Sequence, residues 1–139
     1  LTTLDKMSPA GVMNRRAEGQ AASGMIDMLK IKTASDRLGM SNLSGGNQQK
    51  VVLGKWFLTE PTILLLDEPT RGVDVGAKRE IYRVMSDFAR KGGSIIMISS
   101  ETDEVLGMAD RVIVMRDGHV AGEVDRAGMS AEKLLHLAA

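Results

Sequence analysis

Two stretches hold the residue types that phosphate chemistry needs. They are Leu43-Ser44-Gly45-Gly46-Asn47-Gln48-Gln49-Lys50 and, after a helix-length interval, Ile63-Leu64-Leu65-Leu66-Asp67-Glu68-Pro69-Thr70. In the first, Ser44, Gly45 and Gly46 stand where a helix begins. The first turn of a helix carries backbone N–H groups without intrahelical partners, backed by the positive end of the helix dipole, so it attracts an anion. Glycine also lets a phosphate come close to the backbone. Alone, the same residues fit a serine N-cap followed by two loop glycines. In the second stretch, Asp67 and Glu68 close an apolar run. Neighbours on an extended strand point to opposite sides, so one carboxylate can support a metal while the other faces a water. Burying either charge without compensation is expensive, which places the pair at a strand end near a cation or water. The plain alternative is a strand that ends in acidic turn residues.

Three further groups are weaker candidates. Asp74 fits the N-cap of a following helix, and Ser100 alone reads as a polar strand terminus. His119 and His136 lack the company that a catalytic or metal-binding histidine requires, and both are assigned to the surface. The ten methionines fall mostly at core-like helical positions and read as gap-fillers.

The elements that must hold these groups follow from periodicity and turn chemistry. From about Ser8 to Ile31, Met25, Ile26, Met28, Leu29 and Ile31 form an apolar stripe at helical spacing, and Thr33 to Asn42 reads as a loop. A helix from Ser44 to about Leu58 is expected to bury a wide face of Val51, Val52, Leu53, Trp56 and Phe57 before Pro61 stops it. Thr62 to Asp67 is a continuous apolar run, the pattern of a central strand covered on both faces, and Glu68 to Gly72 is a turn. A helix capped by Asp74 carries Ile81, Val84, Met85 and Phe88 and closes at Gly92-Gly93. Ser94 to Ile98 reads as another buried strand, Thr102 to Met108 as a short helix and Arg111 to Met115 as a strand. Asp117-Gly118 signals a two-residue hairpin to an antiparallel strand from His119 to Val124, and the last helix starts near Ser130. Strand and helix alternate as in an open α/β sheet, whose ligands sit at the carboxyl ends of parallel strands. Asp67, Glu68, Ser99 and Ser100 fall at those ends.

Composition removes several classes of function. With 43% hydrophobic and 26% charged residues, the 139-residue chain has globular composition and is long enough for a core of its own. Eighteen basic residues balance eighteen acidic ones, so no net field favours nucleic acid or an anionic membrane. The apolar runs fall far short of the roughly 20 residues that cross a bilayer, so a membrane link is expected only through a partner. Without cysteine there is neither a disulfide scaffold nor a thiolate metal site. No G-x-x-x-x-G-K-[ST] phosphate loop occurs, and the chain is therefore expected to be a piece of a larger protein.

On these residues the chain resembles the ATP-binding subunits of ABC transporters, and among them the second nucleotide-binding half of ribose-type and galactose-type carbohydrate importers. The motifs that carry the resemblance are Leu-Ser-Gly-Gly-Asn-Gln-Gln-Lys at 43–50 and Leu-Asp-Glu-Pro-Thr-Arg-Gly-Val-Asp-Val-Gly-Ala-Lys at 66–78. It continues through Ile98-Ser99-Ser100-Glu101 and residues 104–111 to Asp117-Gly118, strong over Asp36 to Val124 and weak over residues 1–35. It implies an α/β, P-loop NTPase-like ABC ATPase core lacking its phosphate-loop strands. A helical signature subdomain would span 1–58 and the core 59–139, ending in a C-terminal β-hairpin.

The resemblance also implies roles. Leu43, Ser44, Gly45, Gly46, Asn47 and Gln48 take the place of the signature motif, which binds the γ-phosphate of an ATP held by the phosphate loop of the opposing domain, so the site is completed in trans. Asp67 corresponds to the Walker B aspartate that supports Mg²⁺, and Glu68 to the carboxylate that orients the attacking water. Asp74 falls in the D-loop at the domain interface. Asn47 replaces the more common glutamine, as in the carbohydrate-importer group. The implied partners are the opposing nucleotide-binding domain, transmembrane permease subunits and, indirectly, a sugar-binding protein. The implied location is peripheral, on the cytoplasmic face of the membrane. Upstream, an intact protein would carry the phosphate loop, a Q-loop and a first ATPase half, so the chain alone is expected not to turn over ATP. Its uncovered sheet edges are expected to favour self-association.

Two alternatives stay open. In one, this half is catalytically degenerate and serves as signature donor for the other half's nucleotide. In the other, which the neutral charge and the 71–78 stretch disfavour, the chain belongs to a soluble ABC-type ATPase of DNA repair or translation. The first turns on Ser100, which occupies the switch position where most family members have a histidine. Serine donates one hydrogen bond but carries no positive charge. Ser100→His in the intact protein should therefore change turnover more than nucleotide affinity. Steady-state ATPase rates alongside equilibrium binding check this, and equal turnover in both proteins would refute it.

Overall fold

The computed structural model describes Ser8 and residues 11–139. The chain folds as two compact units, Leu1–Ile96 and Met97–Ala139. This division by contact is separate from the expected division of roles at 58/59. Of the helical region expected from Ser8, residues 9 and 10 lie outside the described residues.

Among its described residues, the first unit holds three α-helices, a short 3₁₀ turn, one strand and the start of a second. Helix α1, Arg15–Leu29, starts where the Asn14 side chain accepts hydrogen bonds from the N–H groups of Arg16 and Ala17. It ends at Lys30, whose left-handed backbone (φ 50°) lets the N–H of Ile31 reach back to the carbonyl of Ile26 at 2.9 Å. Leu29 and Ile31 are buried, whereas Met28 of the expected stripe is exposed. A short 3₁₀ turn at Met40–Asn42 leads to helix α2, Gly45–Phe57. Its buried positions are Gly46, Lys50, Leu53 and Gly54. The face is narrower than Val51, Val52, Leu53, Trp56 and Phe57 implied, because Val52 and Trp56, four apart, turn to solvent.

Strand β1, Ile63–Asp67, and strand β2, Ser94–Ile98, form a two-stranded sheet, and the boundary between the units falls within β2. The N–H of Ser94 donates to the carbonyl of Thr62 at 2.9 Å, so the strands leave the same end together and run parallel. Between them lies helix α3, Val75–Arg90, which buries Ile81 and Met85. The expectation of strands covered on both faces is not met. Leu64 and Leu66 are buried, but Ile63, Leu65, Ile96 and Ile98 are exposed. The apolar run records two apolar faces, while the described residues cover one of them.

The second unit contains helix α4 (Thr102–Met108), strands β3 (Arg111–Arg116) and β4 (His119–Asp125), and helix α5 (Ala131–Ala138). β3 and β4 pair antiparallel as a sheet of their own, so β3 does not extend the β1–β2 sheet as the open-sheet reading expected. Asp117 and Gly118 both take positive φ, 49° and 78°, the backbone of a tight hairpin turn whose twist matches the strands. Val114, Val124 and Leu134 make the core, with Val105, Leu106 and Leu137 packed against them. The Arg126 guanidinium donates to the carbonyls of Leu106 (2.6 Å) and Ala109 (3.0 Å), closing the end of α4. His119 and His136 are exposed. No helix among the described residues is long and apolar enough to cross a membrane.

Ile81 is fully buried and Leu65 is 75% exposed. Ile81→Ala should cost about 2–5 kcal/mol in urea unfolding. Leu65→Ala should stay within about 0.5 kcal/mol. Similar losses at the two positions would contradict this burial pattern.

Candidate functional site

The first turn of α2 is held by its side chains without being capped by them. Ser44 has the extended backbone of an N-cap residue, yet its side chain makes no cap hydrogen bond. Its Oγ instead accepts from Asn47 Nδ2 at 2.9 Å, while Asn47 Oδ1 accepts from the N–H of Lys32 at 2.9 Å. Gln48 Nε2 donates to the carbonyl of Leu43 at 2.9 Å. The first intrahelical bond is Gln48 N–H to the Ser44 carbonyl, 2.9 Å. The N–H groups of Gly45, Gly46 and Asn47 come before it and are not capped by Ser44. In α1, α3 and α5 the side chains of Asn14, Asp74 and Ser130 do cap their helices.

The two glycines do different things. Gly45 is exposed, and a Cβ there would meet only the Gly72 carbonyl at 3.6 Å, an ordinary contact. Gly46 is buried, and a Cβ built on it would overlap the Cβ of Ala77. The two glycines thus differ: Gly45 stands at the surface, whereas Gly46 lets α3 approach. Asp74 serves as the N-cap of α3, its carboxylate accepting from the N–H of Ala77 at 2.9 Å. The structure thus brings the 44–47 turn against the 72–77 loop and the start of α3.

Asp67 and Glu68 stand at the end of β1. Asp67 is its last residue and is exposed. Glu68 is partly buried and lies past the strand with φ 47°, in the left-handed region, and the Arg71 N–H closes a turn onto its carbonyl at 3.1 Å. Strand alternation therefore stops at Asp67. The positive φ at Glu68, not the pleat, sets the direction of its carboxylate. A single exposed carboxylate at a strand end suits Mg²⁺, which takes one or two carboxylates and fills its remaining positions with phosphate oxygens and water. Ser100 belongs to the second unit, where it is exposed just after β2, and Ser99 Oγ accepts from the N–H of Glu101 at 3.0 Å.

Sequence reasoning missed Lys50. It is 1% exposed, and its Nζ donates to the Lys30 carbonyl at 3.1 Å and to the Glu80 carboxylate. The hydrogen bond from the Lys50 ammonium holds the Glu80 carboxyl below the usual range against the opposing effect of burial. The available signal was helical spacing, since Lys50 lies four residues from Gly46 on one face.

The ABC transporter family matches residues 2–71, half of the chain. The chain belongs to the ABC transporter family. This ABC transporter chain is 52% identical over 138 residues to the putative ribose/galactose/methyl galactoside import ATP-binding protein 1 of Rhizobium etli, an alignment covering 99% of the chain and 26% of that protein. It is 48% identical over 138 residues to the ribose import ATP-binding protein RbsA of Bacillus subtilis, covering 99% of the chain and 28% of that protein. The chain spans about a quarter of the length of these relatives. Among solved structures, the ADP conformation of an ATP-binding cassette of an ABC transporter matches with a TM-score of 0.75 at 25% identity, over 91% of the chain and 51% of that cassette. An inward-facing conformation of a putative metal-chelate type ABC transporter matches at 0.79 over 94% of the chain and 52% of that one, and at 17% identity it speaks to the fold alone. The fold is the α/β fold of ABC ATPases.

The Gly46 contact is testable. Gly46→Ala should destabilise the protein by about 1–3 kcal/mol through overpacking. In an Ala77→Gly background the same change should cost much less, because the opposing methyl is gone. A denaturation double-mutant cycle measures the coupling, and additive losses would rule the contact out.

Proposed function

We propose that the chain is the signature-bearing and hydrolytic part of a nucleotide-binding domain in an ATP-driven sugar importer. The observation that carries the proposal is the first turn of α2, whose N–H groups are left uncapped by Ser44 in a chain of the ABC family. Relatives named as ribose and galactose import ATP-binding proteins supply the substrate class.

In this reading the N–H groups of Gly45, Gly46 and Asn47, with the helix dipole behind them, bind the γ-phosphate of an ATP cradled by the phosphate loop of the opposing domain. Leu43 and Gln48 hold the loop through their mutual hydrogen bond. At a separate site, that of this half's own nucleotide, whose phosphate loop would lie on the upstream segment, Asp67 would hold Mg²⁺, which neutralises charge on the phosphates when bound. Glu68 accepts a hydrogen bond from the attacking water and orients it. Ser100 takes the switch role by resemblance, with one hydrogen bond to donate and no positive charge. Asp74 caps α3 and lies at the surface that meets the opposing domain. Positioning and charge stabilisation do most of the work in phosphoryl transfer, and these groups do both. Residues 1–58 act as the helical subdomain and 59–139 as the core. Permease subunits and, through them, a sugar-binding protein are the partners, at the cytoplasmic face of the membrane. Exposed Ile63, Leu65 and Ile96 support self-association of the chain alone. Ser100, uncharged at the switch position, favours a second reading in which this half donates its signature to another half's nucleotide without hydrolysing its own.

Calorimetry with MgATP should show no binding to the 139-residue chain and binding once the upstream phosphate-loop segment is restored. Tight binding to the short chain would overturn the trans-site reading. Glu68→Gln in the intact protein should lower turnover at least about a hundredfold. Unchanged turnover would select the donor reading.

A further inference from the structure

Lys50 is a charged side chain withdrawn almost entirely from water, and the roles above make no use of it. Lysine is rarely buried unless its charge is met, and here it is met twice, by two different helices. Lys50 itself is on α2, the Lys30 carbonyl closes the end of α1, and Glu80 lies on α3. The left-handed backbone of Lys30 belongs to the same turn that presents its carbonyl.

The spacing gives this junction a geometric meaning. Gly46 and Lys50 are four apart on one face of α2, and Ala77 and Glu80 are three apart on one face of α3. Gly46 against Ala77 and Lys50 against Glu80 are therefore two rungs about one turn apart between the same pair of helices. A single contact lets a helix roll about its axis. Two rungs fix the roll. The bond to Lys30 adds the end of α1 to the same lock.

We propose that Lys50 is a positioning residue that joins α1, α2 and α3, sets the roll of α2, and so aims the N–H groups of Gly45, Gly46 and Asn47. The proposal rests on the phosphate-binding reading of that turn. It also makes the end of α1 a lever, because a shift at Lys30 reaches the first turn of α2 through one ammonium group.

The test uses the full-length protein with Lys50→Met, Lys50→Arg and Glu80→Gln. The last variant guards against misfolding, since Glu80 keeps contact with solvent. In Lys50→Met and Glu80→Gln, kcat at saturating MgATP should fall about tenfold to a hundredfold, the scale of a misplacement near 1 Å. Nucleotide affinity should stay within about twofold, which separates lost transition-state contacts from lost binding. Lys50→Arg should recover most of the turnover. Hydrogen exchange across α2 should accelerate in Lys50→Met and Glu80→Gln and return toward wild type in Lys50→Arg. A lower unfolding midpoint with unchanged kcat per folded molecule would overturn the proposal. If the wild-type protein itself fails to hydrolyse ATP, the functional reading falls, and exchange in α2 still decides the role of Lys50. Unaltered exchange in both variants overturns that role whatever the ATPase result.

Discussion

The close approach of α2 to α3 at Gly46 and Ala77 is the constraint from which the rest of the first unit follows. Only hydrogen on one side and a methyl on the other fit between the backbones. With the helices this near, Gly46 rests on Ala77, the residue whose N–H the Asp74 cap receives, and Lys50 reaches Glu80 one turn further along. A larger side chain at either position would part the helices and lengthen the Lys50–Glu80 contact between them. The small residues thus serve the first turn of α2 indirectly, by fixing where it stands.

The turn itself is prepared by diverting side chains. In most helices a serine in the cap position would satisfy one of the first N–H groups. Here the Ser44 hydroxyl is engaged by Asn47, whose other amide atom takes the N–H of Lys32 across the loop. Both ends of the Asn47 carboxamide are in use. The side chains of the turn are occupied with one another and with the neighbouring loop, and Ser44 caps none of its backbone donors.

What the sequence made legible was local. Asp74 and the Asp117-Gly118 turn act within three or four residues of themselves, and both took the structures their chemistry implied. The strand and helix order was readable for the same reason. The burial of β1 and β2 was not, because an apolar run records what its faces prefer and not how many neighbours are present. Lys50 escaped because its partners lie 20 and 30 residues away, so the pairing exists only after three helices have packed. The division of labour between Gly45 and Gly46 was hidden likewise, since adjacent glycines look alike until one of them meets Ala77. Among the catalytic candidates, the motif placed Asp67 and Glu68 together, but nothing in a non-glycine residue announces a left-handed backbone.

That backbone has an evolutionary edge. A glutamate held at φ 47° carries strain on the order of 1–3 kcal/mol that glycine would not. Glycine at this position would relieve that strain while removing the carboxylate that the proposed hydrolytic role requires, so the backbone and the proposed chemistry favour different residues here. A lineage released from hydrolysis stands to relax here, and one still under catalytic demand must go on tolerating the strain.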